Sequence, residues 1–318
     1  MDLEVRHLRA VCAIADAGSI TKAAAALGVS QPTLTTQLRR IERLLGGALF
    51  VRSLQGASPT ALGEFVLAKA RTVLPTVEAI QRESALHAGS TDGRRPLRYV
   101  ATPGPLAVGL LRELKSLFPG ALPTLRTETK LSTAADLVLS GQQDLAAVVE
   151  YIRPGFGLPA DLRSATVATE PAFVLLPATH PLAGQPLVGL AELAKAEWTL
   201  SASQGNGLFE CFAAACAEAG FTATVRHDAE TGSARELIAD GQAVGLGQAT
   251  FRATPGIVPR PLAGTPLLIR HRLLWHRQGA LDAHAPAIAT RAERVYATAV
   301  RRSPHYLDWL ADHPAPQS

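Results

Sequence analysis

The sequence is poor in the residues and runs that mark exported and membrane proteins. It has only three cysteines, Cys12, Cys211 and Cys216, and no Cys-x-x-Cys pair, which excludes a disulfide framework and a cysteine-based zinc site. No run of about 18 apolar residues occurs, so no membrane span is predicted. Residues 1–9 lack the apolar stretch of a signal peptide. We therefore expect a cytoplasmic location and no membrane partner.

The sequence also has only a small net charge and none of the common catalytic motifs. The 31 Lys and Arg residues against 27 Asp and Glu residues leave a formal net charge of +4, which is too small to identify a nucleic-acid partner by itself. The sequence contains no His-Glu-x-x-His zinc motif, no Gly-x-Ser-x-Gly nucleophile motif and no glycine-rich phosphate-binding loop. We therefore expect neither an enzyme nor a bound cofactor or metal ion.

The chain is long enough and apolar enough for two globular domains. It has 318 residues, of which 47% are hydrophobic, and one domain typically takes about 150 residues. The first part shows only helical periodicity, whereas strand-like apolar runs alternate with helical stretches from residue 97 onward. This alternation is typical of α/β architecture with a largely parallel sheet.

Three helices are predicted in the first 45 residues. Apolar residues recur at helical spacing over residues 3–15. Residues 19–21 supply N-cap candidates for a helix over residues 22–27, and Ser30 caps a third helix over residues 31–45.

The junction between the second and third helices matches a helix-turn-helix. That motif needs a small residue where the helices touch, a glycine in the turn and an apolar residue that points inward from the second helix. Ala24, Gly28 and Leu34 fill these three places. An ordinary helical hairpin with a glycine turn has the same features, so the pattern alone leaves both interpretations open.

The exposed start of the third helix carries hydrogen-bonding side chains that suit the major groove. Gln31 can pair with adenine there, and the methyl group of Thr33 can contact a thymine methyl. Residues 1–52 hold seven basic and four acidic groups, a local net charge of +3, and the phosphate-binding candidates are Lys22, Arg39, Arg40 and Arg52. The complete set of candidate DNA-contacting residues is Ser19, Thr21, Lys22, Ser30, Gln31, Pro32, Thr33, Thr35, Thr36, Arg39, Arg40 and Arg52.

This part of the sequence resembles one family closely. The runs ADAGSITKAA at 15–24, LGVSQPTL at 27–34 and LRRIERLLG at 38–46, followed by Phe50 and Arg52, resemble the winged helix-turn-helix of LysR-type transcriptional regulators. The resemblance implies a β wing over residues 50–59 and sequence-specific binding to double-stranded promoter DNA. Thr35 departs from the family, which most often has serine there.

A long linker helix is predicted after the wing. Thr60 caps a helix over residues 61–86 whose apolar spacing fits either a dimer seam or a core helix of the next domain. The resemblance favours the dimer seam and therefore a homodimer or homotetramer. Pro75 is expected to kink this helix, and residues 88–96 are predicted to form a hinge.

Three loops of the second part place Ser or Thr beside Gly, the first two after predicted strands and the third before a predicted helix. They cover residues 102–104, 201–207 and 231–233. In open α/β sheets, ligands bind beyond the carboxyl ends of the strands, where helix N-termini present free N–H groups. The same residues are also ordinary helix caps, which is the alternative interpretation of each loop.

The second part also resembles the LysR-type effector-binding domain. The resemblance rests on residues 137–149, the His180-Pro181-Leu182 turn and residues 240–247. It implies two subdomains like those of periplasmic binding proteins, with a small organic acid or an aromatic metabolite as effector in the cleft between them. The candidate effector-binding residues are Thr102, Pro103, Gly104, Ser132, Thr133, Ser201, Ser203, Gln204, Thr231 and Gly232.

The expected fold is therefore α/β with an N-terminal all-α winged helix-turn-helix, a long linker helix and a periplasmic-binding-protein-like effector domain. The expected boundaries are 1–60 for the DNA-binding domain, 61–96 for the linker helix and hinge, 97–302 for the effector domain and 303–318 for a C-terminal tail. Within the effector domain, subdomain 1 is expected at 97–164 and 271–302, and subdomain 2 at 165–270.

The expected function is a LysR-type regulator whose promoter binding is modulated by the effector, with RNA polymerase as a further candidate partner. One alternative is a redox-sensing regulator that uses Cys211 and Cys216, although cysteines five apart on one helix point about 140° apart and cannot form a disulfide without unfolding. Another is a solute-binding module or an enzyme with an incidental helical hairpin. A cluster of basic residues, His271, Arg272, His276 and Arg277, is predicted to be solvated near an edge strand.

Overall fold

The computed structural model describes residues 2–53, 56–71, 73–74, 77, 95–152, 157–201 and 205–313. The chain divides into two compact units, of which the first takes residues 1–91 and the second nearly all of residues 92–318. Within the described residues, no helix combines the length and the apolar composition that a membrane-spanning segment needs.

The first unit begins with three helices around one apolar core. They are α1 (Val5–Ala17), α2 (Ile20–Ala26) and α3 (Gln31–Leu45). Ser19 Oγ accepts a hydrogen bond from the Lys22 N–H at the start of α2, and Ser30 Oγ accepts one from the Thr33 N–H at the start of α3. These bonds satisfy N–H groups that have no partner within their own helix. The predicted bounds of α3 are confirmed, whereas α1 begins two residues later than predicted.

The α2–α3 turn depends on Gly28. Its φ of +66° is a left-handed conformation that residues with a Cβ adopt only at a cost. Ala24 and Leu34 lie on either side of the turn and are 2% and 0% exposed, so α2 and α3 pack against each other as the helix-turn-helix pattern predicts.

A two-stranded wing and a further helix complete the first unit. Strands β1 (Phe50–Ser53) and β2 (Gly56–Pro59) pair antiparallel over the span predicted for the wing. The Ala57 N–H donates to the Gly18 carbonyl oxygen, which ties the wing to the α1–α2 turn. Residues 61–71 form helix α4, and residues 73, 74 and 77 are also helical. Pro75 and residues 88–94 lie outside the described residues.

The second unit is built on one mixed sheet. Its strands are β3 (Arg95–Ala101), β4 (Ala121–Thr127), β5 (Leu145–Tyr151), β6 (Leu162–Pro177), β7 (Glu197–Leu200), β8 (Thr224–Asp228), β9 (Val244–Gln248), β10 (Ile257–Pro261) and β11 (Leu268–His276). Its helices are α5 (Leu106–Leu117), α6 (Leu131–Leu139), α7 (Leu208–Glu218), α8 (Thr231–Ala239), α9 (Ala285–Arg301) and α10 (Pro304–Asp312). Residues Leu190–Leu193 form a short 3₁₀ turn.

The prediction of a largely parallel sheet is wrong. The strand order is β4-β3-β5-β11-β6-β9-β7-β8, with β10 also paired to β6. Strands β4, β3 and β5 are parallel to one another, as are β9, β7 and β8, but β11 and β6 run antiparallel to their neighbours. Two long strands therefore join two parallel three-stranded groups, and the 16 residues of β6 pair with β11 first and with β9 and β10 afterwards.

The expectation of an exposed edge strand around His271 is also wrong. Strand β11 lies between β5 and β6 in the middle of the sheet, and His271 is 0% exposed. Its Nε2 atom lies 2.6 Å from Glu170 Oε1. On the opposite face of β11, Arg272 Nη1 donates to Glu150 Oε1 at 3.0 Å. Both basic side chains are thus paired inside the sheet, because each has a carboxylate on a neighbouring strand.

The end of the described chain forms two packed helices that the sequence reasoning missed. Helix α9 packs on α5 so closely that a Cβ at Gly109 would contact Val295 Cγ1. Helix α10 falls within residues 303–318, which were expected to form a tail. Its Tyr306 is 3% exposed and lies edge-to-face against Phe173 of β6. This segment is therefore part of the folded core.

Substitution of Glu170, which pairs with His271 inside the sheet, is expected to cause a large loss of stability. In Glu170→Ala, we expect the free energy of unfolding to fall by about 3–5 kcal/mol, because His271, Thr250 and Tyr296 lose their common acceptor in the interior. Urea unfolding followed by circular dichroism measures this change.

The matched control is Glu197→Ala. Glu197 pairs with Arg226 on the surface, where side chains that are 41% and 62% exposed share an ion pair, and such pairs contribute only about 0–1 kcal/mol. Equal effects of the two substitutions would contradict a structural role for Glu170.

Candidate functional site

The first candidate site is the exposed N-terminal face of α3. Gln31 and Thr33 are exposed there, and their side chains are held by neighbours on the same helix. Gln31 Nε2 donates to Thr35 Oγ1 at 3.2 Å, and Thr33 Oγ1 lies 2.7 Å from Ser30 Oγ. These hydrogen bonds favour particular rotamers of the four side chains, which lowers the entropy lost when a partner binds.

The other predicted DNA-contacting residues lie close to this face in the sequence, on α2, α3 and strand β1. Lys22 on α2 and Arg39 and Arg40 on α3 are exposed, as a phosphate contact requires. Thr21, Pro32 and Thr36 are exposed too, while Ser19 is half-buried and serves as the cap of α2. Arg52 lies in β1, and its side chain is outside the described residues.

The second candidate site is a cavity of about 800 Å³ in the second unit. It lies at the carboxyl ends of both parallel groups. Thr102 follows β3, Tyr151 ends β5, Ser201 follows β7 and Gln248 ends β9, and all four line the cavity. This is the position at which open α/β sheets bind ligands.

The structure brings together half of the predicted effector-binding residues. Thr102, Pro103, Gly104, Ser201 and Thr231 line the cavity. Ser132, Thr133 and Gly232 are not among its described lining residues; they belong to the first turns of α6 and α8, and Thr129 lines the cavity before α6 instead. Ser203 and Gln204 lie outside the described residues.

Two of the polar groups at the cavity hold the backbone as well as facing the site. Thr102 Oγ1 accepts a hydrogen bond from the Val149 N–H at 2.9 Å, which fixes the turn after β3 to β5. Asn206 Oδ1 accepts from the Leu208 N–H at 3.2 Å, while the N-cap residue of α7 is Gly207, which makes no side-chain cap bond. Thr102 binds a strand rather than a helix end, so the capping interpretation does not account for it.

Sequence reasoning missed the cavity wall formed by β7, α8 and the segment after β9. Thr199, Arg235, Thr250 and Phe251 line this wall. The cavity wall is closely packed at Gly245, because a Cβ on this residue would lie 2.8 Å from Ile238 Cδ1. The sequence run Val244-Gly245-Leu246-Gly247 was a usable signal, since alternate glycines in a strand indicate that another group approaches the backbone.

The cysteines do not form a redox pair in this fold. Cys211 and Cys216 both lie on α7, with Cys211 Sγ donating to the Ile152 carbonyl oxygen at 3.5 Å. Cys216 is 1% exposed, and burial raises the pKa of its thiol to about 11. The reactive species is the thiolate, so this thiol is unreactive at neutral pH. Within the described residues, no group of His, Cys, Asp and Glu side chains is placed to hold a metal ion.

Two family models match the chain and together span most of it. Residues 5–64 match the bacterial regulatory helix-turn-helix protein model of the lysR family, and residues 97–296 match the LysR substrate binding domain. The chain belongs to the LysR family of transcriptional regulators. The first match covers the helix-turn-helix and wing, and the second covers nearly all of the sheet and most of the cavity lining.

Similar proteins agree with this assignment. The small neutral protease regulatory protein of Streptomyces coelicolor is 40% identical over 314 residues, which cover 98% of this chain and 92% of that protein. The protein of the same name from Streptomyces lividans is also 40% identical, with 98% and 87% covered. The crystal structure of CbnR, a LysR family transcriptional regulator, has a TM-score of 0.60 at 23% identity, with 95% and 99% covered, and this likeness shows the fold. The redox alternative is not favoured.

The cysteine geometry predicts the outcome of oxidation. After treatment of this LysR family protein with peroxide, we expect mass spectrometry to find no Cys211–Cys216 disulfide, because one helix carries both residues and Cys216 stays protonated. Alkylation after unfolding provides the control that both thiols are intact and accessible. A Cys211–Cys216 disulfide in the folded protein would restore the redox interpretation.

Proposed function

We propose that this LysR family regulator reads promoter DNA with the N-terminal face of α3. The observation that carries the proposal is the hydrogen-bonded set formed by Ser30, Gln31, Thr33 and Thr35, of which Thr35 is half-buried and the other three are exposed. These side chains are held by hydrogen bonds to one another and are not buried in the core. Their donors, acceptors and methyl groups match those that the base pairs present in the major groove. The basic members of the predicted set bind phosphates and fix the register of the helix on the duplex. They are Lys22, Arg39, Arg40 and Arg52.

We further propose that a small-molecule effector binds in the cavity of the second unit and changes promoter binding. The cavity volume of about 800 Å³ lies in the range of small-molecule sites. An effector that binds one conformation of the two subdomains better than another shifts their populations by its difference in affinity. Thr102, Ser201 and Thr231 contact it, and the neighbouring Pro103 and Gly104 shape the same wall.

The regulator acts as a homodimer or homotetramer in this proposal, through the helix that begins with α4. Phe65 in α4 and Val73, which is also helical, are large apolar residues that are 61% and 42% exposed, which suits pairing with a second copy. RNA polymerase is a further partner, and the site of action is the cytoplasm, where promoter DNA is. The protein has no catalytic role in this proposal.

A footprint tests the proposal most broadly. The probes are the intergenic region upstream of the gene for this chain and, because the curated relatives are named for regulating a small neutral protease, the promoter of a neutral protease gene. Protection of a defined sequence that changes when metabolites are added supports both parts. DNA affinity that depends only on salt and not on sequence would favour the solute-binding alternative.

The reading face predicts a specific mutational effect. We expect Gln31→Ala and Thr33→Ala each to weaken binding to the specific promoter about fivefold or more, since one base contact contributes about 1–3 kcal/mol, and to leave nonspecific DNA binding unchanged. Fluorescence anisotropy with specific and scrambled duplexes measures both affinities.

A glutamine on the second unit provides the matched control. Gln242 is exposed in the turn before β9, so Gln242→Ala should leave both affinities as they are. Unchanged specific binding in both α3 variants would show that another surface reads the DNA.

A further inference from the structure

We propose that helix α10 is a pH-sensitive strap that ties the two strand groups of the second unit together while His305 is neutral and detaches when His305 is protonated. The first strand group is β4, β3 and β5, and the second is β9, β7 and β8, with β10 paired to the same end of β6 as β9. Helix α10 lies beyond residue 296, where the match to the LysR substrate binding domain ends. The strap works through the fold of the second unit alone and is independent of the proposed DNA-reading and effector functions.

The strap starts from α9, which is fixed to the first strand group. Helix α9 packs on α5, where a Cβ at Gly109 would contact Val295, and α5 packs on β3 and β4. Only Arg302 and Ser303 separate the end of α9 from the start of α10. Any attachment of α10 to the second strand group therefore links the two groups through a short connection.

Aromatic packing holds α10 on the second strand group. Tyr306 is 3% exposed, and its ring lies edge-to-face on Phe173 with the centroids 6.1 Å apart. Trp309 and Leu310 pack on the same cluster, which includes Ala249 after β9. Phe173 belongs to the part of β6 that pairs with β9 and β10. The apolar face of α10 is therefore buried against the second strand group.

A polar contact beside Tyr306 requires a neutral His305. Arg260 Nη1 of β10 lies 3.1 Å from His305 Nδ1. An arginine side chain has only donors and stays charged in proteins, so Arg260 donates and His305 Nδ1 is the unprotonated acceptor. Arg260 also donates to the carbonyl oxygens of Ala183, through Nε at 2.8 Å, and Pro259, through Nη1 at 3.2 Å. These bonds restrain Arg260, so it does not turn away when His305 becomes charged.

Protonation of His305 turns this attraction into a repulsion. Both ring nitrogens then carry hydrogen, so the hydrogen bond is lost and two cations face each other across the same short distance. Burial and the charge of Arg260 lower the pKa of His305, whereas the charge of Asp308 on α10 raises it. The net direction is downward, as expected for a histidine held against a guanidinium.

The titratable groups that face α10 from β6 and α9 do not provide the switch. The Tyr296 O–H donates to Glu170 Oε2 at 3.0 Å and lies 3.4 Å from the Tyr306 hydroxyl. Burial raises the pKa of both phenols, that of Tyr306 to about 12, so both stay protonated. The other charged side chains at this end of the chain are exposed, namely Arg301, Arg302 and Asp312. His305 is therefore the group facing Arg260 whose charge changes near neutral pH.

The direction of the pH dependence follows from the lowered pKa. A histidine in the detached helix has an ordinary pKa of about 6.5 and binds a proton more readily than His305 in the attached helix. Attachment is therefore complete above about pH 6.5 and weakens as the pH falls below it. The ratio of detached to attached chains rises by up to about tenfold at about pH 5.5. A detached helix of nine residues does not persist in water, so detachment also removes its hydrogen bonds.

Hydrogen exchange of residues 304–313 in the full-length protein measures this attachment. After correction for the effect of pH on chemical exchange, we expect exchange in α10 to accelerate by up to about tenfold between about pH 7.5 and about pH 5.5. In His305→Asn the rate should stay constant, because the amide oxygen accepts from Arg260 and takes up no proton. His313→Asn is the matched control, since His313 is an exposed histidine at the end of α10 whose ring stacks on Trp309. It should keep the full pH dependence.

Two spin labels test whether α10 restrains the strand groups. Lys115→Cys on α5 and Glu236→Cys on α8 place exposed labels on the two groups; the three native cysteines are replaced, and labelled chains are diluted with unlabelled ones. We expect Tyr306→Ala to broaden the distribution of distances between the labels. Leu307→Ala, at an α10 residue that is 42% exposed, should leave it unchanged. If Tyr306→Ala does not fold, His305→Lys replaces it, because it places a permanent charge beside Arg260.

Each part of the proposal has its own contradicting result. Equal pH dependence in the unsubstituted protein and in His305→Asn would overturn His305 as the switch. Exchange in α10 as fast as in an unfolded peptide at about pH 7.5, or the same label distances in the releasing variant and in Leu307→Ala, would overturn the strap. The promoter footprint tests the proposed function separately, so failure of the strap and failure of the regulator are distinguishable.

Discussion

The buried carboxylate of Glu170 is the interaction on which the second unit depends. It lies on β6, is 1% exposed and is surrounded by donors from three other segments. The Thr250 N–H and O–H donate to it at 3.0 and 3.2 Å, the Tyr296 O–H donates at 3.0 Å, and His271 Nε2 lies 2.6 Å away. A carboxylate is stable in the interior only when such donors replace water. Each donor thereby fixes its own segment relative to β6.

The same contacts explain why the cavity has a defined wall. His271 holds β11 to β6 at the point where the two long strands join the parallel groups. Thr250 belongs to the segment after β9 and lines the cavity beside Phe251, on which Arg235 lies. Burial and the neighbouring Glu170 raise the pKa of Tyr296 above its usual value, so its hydroxyl stays protonated and donates. The Glu170 side chain therefore connects the cavity wall, the strands β6 and β11, and helix α9.

Local signals in the sequence predicted the first unit well. Ser30 caps α3, Gly28 turns the chain and the apolar spacing of α3 gives its bounds, and each of these depends on residues within a few positions of one another. The cavity loops at Thr102, Ser201 and Thr231 were found for a similar reason, since the end of a parallel strand is visible in the sequence.

Pairings between distant residues could not be predicted in this way. Glu170 and His271 are 101 positions apart, and a histidine within a basic run gives no sign that its partner is a buried carboxylate. The antiparallel direction of β6 and β11 is defined by their pairing with β9 and β5 in the folded sheet, which the residues of the two strands do not reveal by themselves. The place of Arg235 in the cavity wall was missed because its contact with the Phe251 ring exists only in the folded unit.

Amide hydrogen exchange at Thr250 tests the central role of Glu170 most directly. The account predicts that the Thr250 N–H, which donates to Glu170 in the interior, exchanges slowly in the folded protein. In Glu170→Gln, exchange at this amide should become much faster while amides in the first unit keep their rates. Fast exchange at Thr250 in the unsubstituted protein, or equal rates in both proteins, would contradict the account.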